Sequence, residues 1–260
     1  MQGCDEMKTP KEYKLEKDSF YILEMIRNSK TSLCFSDQEN YLIGRYKKGL
    51  PTWIWTKDDI TREKEVEVLT LLKNNYLEET SLFTCKKDFY KVLSKEWKTE
   101  DYFEMGYLSC EKLNEIKLSF GFMDYPSIDD KEVLKKYWID FNKEIPEHHD
   151  LTEESIEKEV ESWLKEKQFF VWRNPSGKVV SMANFRIEGK MAKIAHVYTP
   201  KEERRKGYCA SLIYSMTKML LEKNYHPMLY TDYHYEASNC AYQKVGYQEK
   251  AVLINFKIVL

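Results

Sequence analysis

The sequence predicts a mixed α/β fold in two parts, residues 1–115 and 116–260. Short runs of β-branched and aromatic residues alternate with stretches whose apolar residues recur at helical spacing. Near residues 112–120 the alternation restarts with a fresh strand and helix series. The 260-residue chain is 42% hydrophobic and 14% aromatic, enough core material for one large domain or two ordinary ones and too much for a disordered chain.

In the first part, Phe20, Ile22, Leu23 and Ile26 crowd one side of a helical stretch over Tyr13–Asn28. Extended pieces follow at YLIGRY (41–46) and PTWIWT (51–56), the latter with Trp53, Ile54 and Trp55 between threonines, as in a strand. Val66, Val68, Leu69, Leu71 and Leu72 make residues 57–75 an amphipathic helix. SLFTC, KDFYKVLSKEW and YFEMGYLSC continue as strand, helix and strand. Gly44 and Gly49 open no helix, so this part holds no glycine turn of the kind that cradles a phosphate.

In the second part, IKLSFGFM (116–123) alternates like a first strand. Ser127 and the acidic residues behind it start a helix, and Thr152 with Glu153 and Glu154 starts another, capped and charged to suit its dipole. The strands FFVWR, KVVSMANFRI and AKIAHVYT are joined by NPSG and EGK turns. A helix after Gly207, a strand at PMLYTD, a short helix at SNCAYQKV and final strands in YQEKAVLINFKIVL complete a β-α-α-β-β-β-α-β-α-β-β order.

Charge and cysteine usage narrow the function classes. Lys and Arg number 41 against 43 Asp and Glu, a net charge of -2, which argues against nucleic acid as the partner. Cys4, Cys34, Cys85, Cys110, Cys209 and Cys240 are scattered without a C-x-x-C pair, as expected in a reducing cytoplasm. No apolar run reaches signal-peptide or membrane-span length, so a cytoplasmic chain with no membrane partner is expected. The pair His148 and His149 in PEHHD has no well-spaced third ligand, and no metal site is expected.

The chemistry concentrates in VYTPKEERRKGYCASLIYSM (197–216), where a strand-like run and a Thr-Pro turn lead into Arg204, Arg205, Lys206 and Gly207. Behind them Cys209, Leu212, Ile213, Met216 and Leu220 repeat at helical spacing. A helix N-terminus exposes unpaired N–H groups and the positive end of its dipole, and glycine lets backbone approach an anion closely. The same residues also fit ordinary capping, with Thr199, Pro200 and Glu202 as the signal and the basic side chains in solvent.

Arg204-Arg205-Lys206-Gly207-Tyr208-Cys209 resembles the cofactor motif of the GNAT superfamily of acyl-CoA-dependent N-acetyltransferases, Arg/Gln-x-x-Gly-x-Gly/Ala. LYTDYHYEASNCAYQKVGY (229–247) resembles that family's penultimate strand, short helix and closing Tyr-x-x-x-Gly-Phe/Tyr element, here from Tyr242 to Tyr247. Over residues 118–260 the resemblance implies the acyl-CoA N-acyltransferase fold, with 1–115 a divergent copy that lacks the cofactor motif and serves as an acceptor-site wall or a dimerisation element. It implies acetyl-CoA as donor and a primary amine, of a small molecule, as acceptor, in a monomer or homodimer. Amides from Arg205 to Ala210 would hold the pyrophosphate, with Arg204, Arg205 and Lys206 around it. The pantetheine arm would pair with the backbone of His196, Val197 and Tyr198 where the fourth and fifth strands part, and Asn239 would contact it. Tyr242 matches the usual general acid, although a packed tyrosine is the alternative. His196 and Asp232 are both candidates for the base. Cys209 in place of Gly or Ala, and Tyr235 where relatives carry asparagine, depart from the pattern. A coenzyme A-binding sensor or scaffold without catalysis is the alternative function.

Overall fold

The computed structural model describes residues 9–77, 80–145 and 151–260. The chain divides into two units: the first runs to Tyr107 and takes in Asp232–His234 and Lys250–Leu260, and the second holds Leu108–Thr231 and Tyr235–Glu249.

Unit 1 begins with α1 (Tyr13–Glu16) and α2 (Tyr21–Arg27), so the single helix expected over 13–28 is broken. Phe20 leaves helical geometry at φ -105°, ψ 35°. The break lets Tyr13 pack its ring on Trp55 while Phe20 packs on Trp53, at centroid distances of 5.4 and 6.3 Å. Both tryptophans lie in the core, the packing role their strand pattern suggested. Strands β1 (Leu33–Ser36), β2 (Tyr41–Arg45) and β3 (Thr52–Thr56) form an antiparallel meander. Helix α3 (Arg62–Asn75) leads to β4 (Thr80–Lys86), which runs parallel to β3. Helix α4 (Lys87–Glu96) and β5 (Lys98–Ser109) follow.

The last strand of the sequence, β11 (Gln248–Val259), joins this unit by antiparallel pairing with β4 from Leu253–Lys86 to Val259–Thr80. Its order is β1-β2-β3-β4-β11-β5. Thr84 donates to Asn255 Oδ1 at 2.5 Å and Asn255 donates to Met105 Sδ at 3.3 Å, so a polar thread ties β4, β11 and β5 in an otherwise apolar layer.

Unit 2 opens with the short strand β6 (Phe122–Asp124), shorter than the 116–123 strand expected. The residues before it do another job: Leu113 and Ile116 pack on a core cluster, and Asn114 Nδ2 donates to the carbonyls of Gln243 and Lys244 at 3.1 and 3.2 Å. Helices α5 (Lys131–Glu144) and α6 (Glu153–Lys165) follow, the latter started by a Thr152–Ser155 capping box. Strands β7 (Phe169–Arg173), β8 (Val179–Glu188) and β9 (Met191–Tyr198) are antiparallel. Helix α7 (Tyr208–Glu222) crosses to β10 (His226–Asp232), parallel to β9, and α8 (Glu236–Val245) follows. One strand, not two, then ends the chain.

The period-2 pattern of β7 explains the two layers on this sheet. Phe169 and Val171 face α5 and α6 with Trp138 and Trp163, while Phe170 and Trp172 face α7 and α8 with Leu212 and Met216. At the β6 edge Arg173 grips Asp124 through Nε at 2.8 Å and Asp130 through Nη2 at 2.7 Å. Burial pushes the Asp130 carboxyl up, but Arg173 and Ser127 outweigh it and hold the group below the usual range.

Candidate functional site

The site is built where β9 stops pairing with β10 and bulges against β8. Its parallel register with β10 runs from Met191–His226 to Ile194–Leu229 and ends there, although both strands continue. Against β8, Ala195 faces Asn184 but Tyr198 faces Met182, so β9 spends three steps where β8 spends two. The extra residue is a bulge, and His196 sits in it with φ 51°. A left-handed non-glycine residue costs about 1–2 kcal/mol, which the surrounding packing must offset. The His196 ring lies among Trp138, Phe141 and Trp163, at 4.9, 6.0 and 5.8 Å. Val197 packs on the opposite, α7/α8 layer, and Tyr198 returns to the α5 side, 5.5 Å from Tyr137.

Immediately beyond, a single 3-10 turn (Lys201–Glu203) leads into the loop. Arg205 has φ +62° and Gly207 φ +80°, and α7 begins at Tyr208. Two left-handed residues around Lys206 turn the backbone into a concavity of the kind that gathers N–H groups toward an anion. The N–H groups of Tyr208, Cys209 and Ala210 precede the first intrahelical bond, donated by Ser211 to the Gly207 carbonyl at 3.0 Å. Helix α7 has no side-chain cap and no acidic residue in its first turn.

The basic triplet is divided by its partners. Arg204 donates to the Thr199 carbonyl at 2.9 Å and to Glu144 Oε2 at 2.5 Å, with its guanidinium 5.9 Å from the Tyr198 ring centre. Lys206 donates to Glu203 at 2.7 Å, and together with Lys178 it holds that buried carboxylate below its usual range. These two side chains brace the loop from behind. Arg205 is exposed and, among the described residues, has no carboxylate partner.

Gly207 also has a neighbour that its sequence context did not reveal. A Cβ there would meet Ser119 Oγ at 2.6 Å. Ser119 Oγ donates to the Lys206 carbonyl at 2.6 Å, its N–H donates to Ser211 Oγ at 2.8 Å, and Ser211 Oγ donates to the Gly207 carbonyl at 3.0 Å. The glycine therefore serves backbone conformation and the close approach of Ser119.

Residues 175–254 match the family model described as FR47-like protein. Among solved structures, the chain superposes on an acetyltransferase from the GNAT family of Colwellia psychrerythraea with a TM-score of 0.61 and 10% identity, over 97% of this chain and 98% of that one. GCN5-related N-acetyltransferases from Kribbella flavida and Sphaerobacter thermophilus give TM-scores of 0.59 and 0.60 at 13% and 9% identity. These cover 96% and 85% of this chain and 96% and 81% of theirs. The fold is that of the GNAT acetyltransferases. No curated protein matches the sequence.

Within the GNAT fold the remaining predicted residues fall into four groups. Val197, Tyr208, Cys209, Ala210 and Tyr242 converge on one buried cluster behind the loop. Burial raises the Tyr242 phenol well above its ordinary value, with Cys209, Tyr247 and Tyr235 adding to it, and burial alone pushes the Cys209 thiol up to about 12. Asn239 lies half-buried on the first turn of α8, its N–H donating to the Tyr235 carbonyl at 3.3 Å. His196 and Tyr198 face the α5 layer instead. Asp232 belongs to unit 1, where its Oδ1 accepts from the His234 N–H at 2.9 Å in a turn.

Sequence reasoning missed Ser119, Ser211, Glu144 and Glu203. The one hint in the sequence is a serine set among the apolar residues of α7, and the structure buries that Ser211 to 1% exposure. His148 and His149 lie outside the described residues. Among the described residues no cluster of three or more His, Cys, Asp or Glu is placed to hold a metal ion, and no helix is long and apolar enough to cross a membrane.

Proposed function

We propose that unit 2 is an N-acetyltransferase domain that takes acetyl-CoA as donor and a primary amine of a small molecule as acceptor. One observation carries the reading: β9 parts from β10 after Ile194 and Leu229 directly ahead of a helix N-terminus that is neither capped nor acidic. The parting opens β9 beyond Ile194, where the strand around Val197 would meet a pantetheine arm, and the N–H groups from Arg205 to Ala210 would meet a pyrophosphate. The residues present fit such a donor, since the buried loop acid Glu203 is paired with Lys206 and Lys178, and Glu144 of α5 with Arg204.

Unit 1 offers an internal contrast. Its β1-β2-β3-α3-β4-α4-β5 order repeats the β7-β8-β9-α7-β10-α8-β11 order, with the same strand directions up to the parallel pair. At the matching place, Thr61 Oγ1 accepts from the Lys64 N–H at 3.4 Å, and Glu63 and Glu65 fill the first turn of α3. Lys86 nearby is held by Glu16 and Asp58 at 2.6 and 2.7 Å. A capped, acidic helix start repels phosphate, so unit 1 is a degenerate copy without a donor site.

In the transfer, the amine nitrogen attacks the thioester carbon and the C–S bond breaks; the Tyr242 phenol supplies a proton to the departing thiolate, and the proton shed by the nitrogen returns the phenolate to phenol. Its raised pKa keeps that proton in place at neutral pH. Thermal denaturation with acetyl-CoA tests the donor: at 100 times its dissociation constant it should stabilise by about 2.7 kcal/mol, and no shift at saturation rejects the site. Thiol release across an amine panel then separates an enzyme from a coenzyme A sensor.

A further inference from the structure

Resting on the donor reading, we infer that residues 118–122 form the wall that takes the adenine nucleotide of the acyl donor, with Phe120 as the stacking face and Ser119 as its anchor. Leu118, Phe120 and Phe122 are exposed at 42, 83 and 52%, three apolar side chains close together on the irregular segment that leads into β6. Ser119 points to the loop, bonded to the Lys206 carbonyl and to Ser211, and Gly121 packs so tightly on the Arg173 carbonyl that a Cβ would lie 2.1 Å from it. The segment is thus held by both neighbours of Phe120, and Phe120 stands one residue from the groups that shape the anion concavity.

Continuity with that concavity selects the occupant. A ligand whose diphosphate meets the N–H groups of Arg205 to Ala210 must send its nucleoside outward past the loop rim. An exposed phenyl ring there costs nothing in desolvation when it meets a flat purine, and Arg205, exposed and without a carboxylate partner among the described residues, supplies the positive charge that a nucleotide's remaining phosphate requires. The wall lies outside residues 175–254 and belongs to this chain's own N-terminal part of unit 2.

Isothermal titration of the full chain with coenzyme A and with pantetheine 4′-phosphate, which lacks the nucleoside, tests both roles. Phe120→Ala should weaken coenzyme A by about tenfold and leave pantetheine 4′-phosphate unchanged, and Phe120→Trp should restore it. Ser119→Ala, acting as a positioning change on the loop, should weaken both ligands by a similar factor. Equal coenzyme A affinity in Phe120→Ala and the wild type overturns the inference while the donor reading stands. Failure of the wild type to bind coenzyme A overturns both. Light scattering accompanies the titrations: if Phe120→Ala lowers the oligomeric state, the segment is an interface between copies, and the inference is likewise overturned.

Discussion

Gly207→Ala probes the most sharply defined geometry in unit 2. The new methyl group meets two costs. At φ +80° an alanine backbone is strained by about 1 kcal/mol relative to glycine. Its Cβ would also lie 2.6 Å from Ser119 Oγ, so the hydroxyl must leave its 2.6 Å bond to the Lys206 carbonyl, which adds about 1–2 kcal/mol. The sum is about 2–3 kcal/mol by urea denaturation. The second cost has a signature, because Ser119 Cβ is 4.0 Å from the new atom and only the oxygen interferes. In a Ser119→Ala background, Gly207→Ala should therefore cost only the backbone portion, about 1 kcal/mol. Equal costs in the two backgrounds would refute the account of Gly207 as a residue spaced for Ser119.

Three further outcomes follow from the same geometry. Tyr242→Phe should cut thiol release at least tenfold while coenzyme A affinity holds, and because burial raises the phenol's pKa, the wild type should show no alkaline loss of turnover below about pH 10 from this group. Arg173→Met should destabilise by about 2–4 kcal/mol, since it strands the buried Asp130 carboxylate. Asp130 has a lowered folded pKa, so its contribution is present above the unfolded value near 4 and fades as pH falls through the folded one; denaturation midpoints of the variant should change less with pH below about 4. Alkylation at pH 8 followed by peptide mass mapping should label exposed Cys240 and spare Cys209, whose thiol at about 12 leaves about one part in ten thousand as thiolate.

Much of unit 2 was legible in the sequence because its signals are short-range. Thr152 and Ser155 start α6 within one turn, and the alternation of Phe169 through Trp172 places β7 between two layers. Gly207 marks the start of α7 for a local reason, its left-handed φ. The bulge at His196 has no such signal. Histidine, valine and tyrosine there read as plain strand, and the extra residue exists only relative to Asn184 and Met182 on β8. The broken first helix is similar, since its residues keep helical spacing and only the pull of Trp53 and Trp55 on Phe20 and Tyr13 divides it.

The sequence by itself determined the mixed α/β class, most element positions and the place of the loop before α7, because periodicity, capping and glycine turns act over a few residues. Tertiary structure alone decided that the last strand belongs to unit 1, where Asn255 meets Thr84 across 171 positions of chain. It alone decided that Arg204 and Lys206 spend their charge on Glu144 and Glu203, and that Ser119, 87 positions from Lys206, sits where a Gly207 side chain would be. Such pairings depend on which surfaces the packed layers bring within hydrogen-bond reach, and no local pattern encodes that distance.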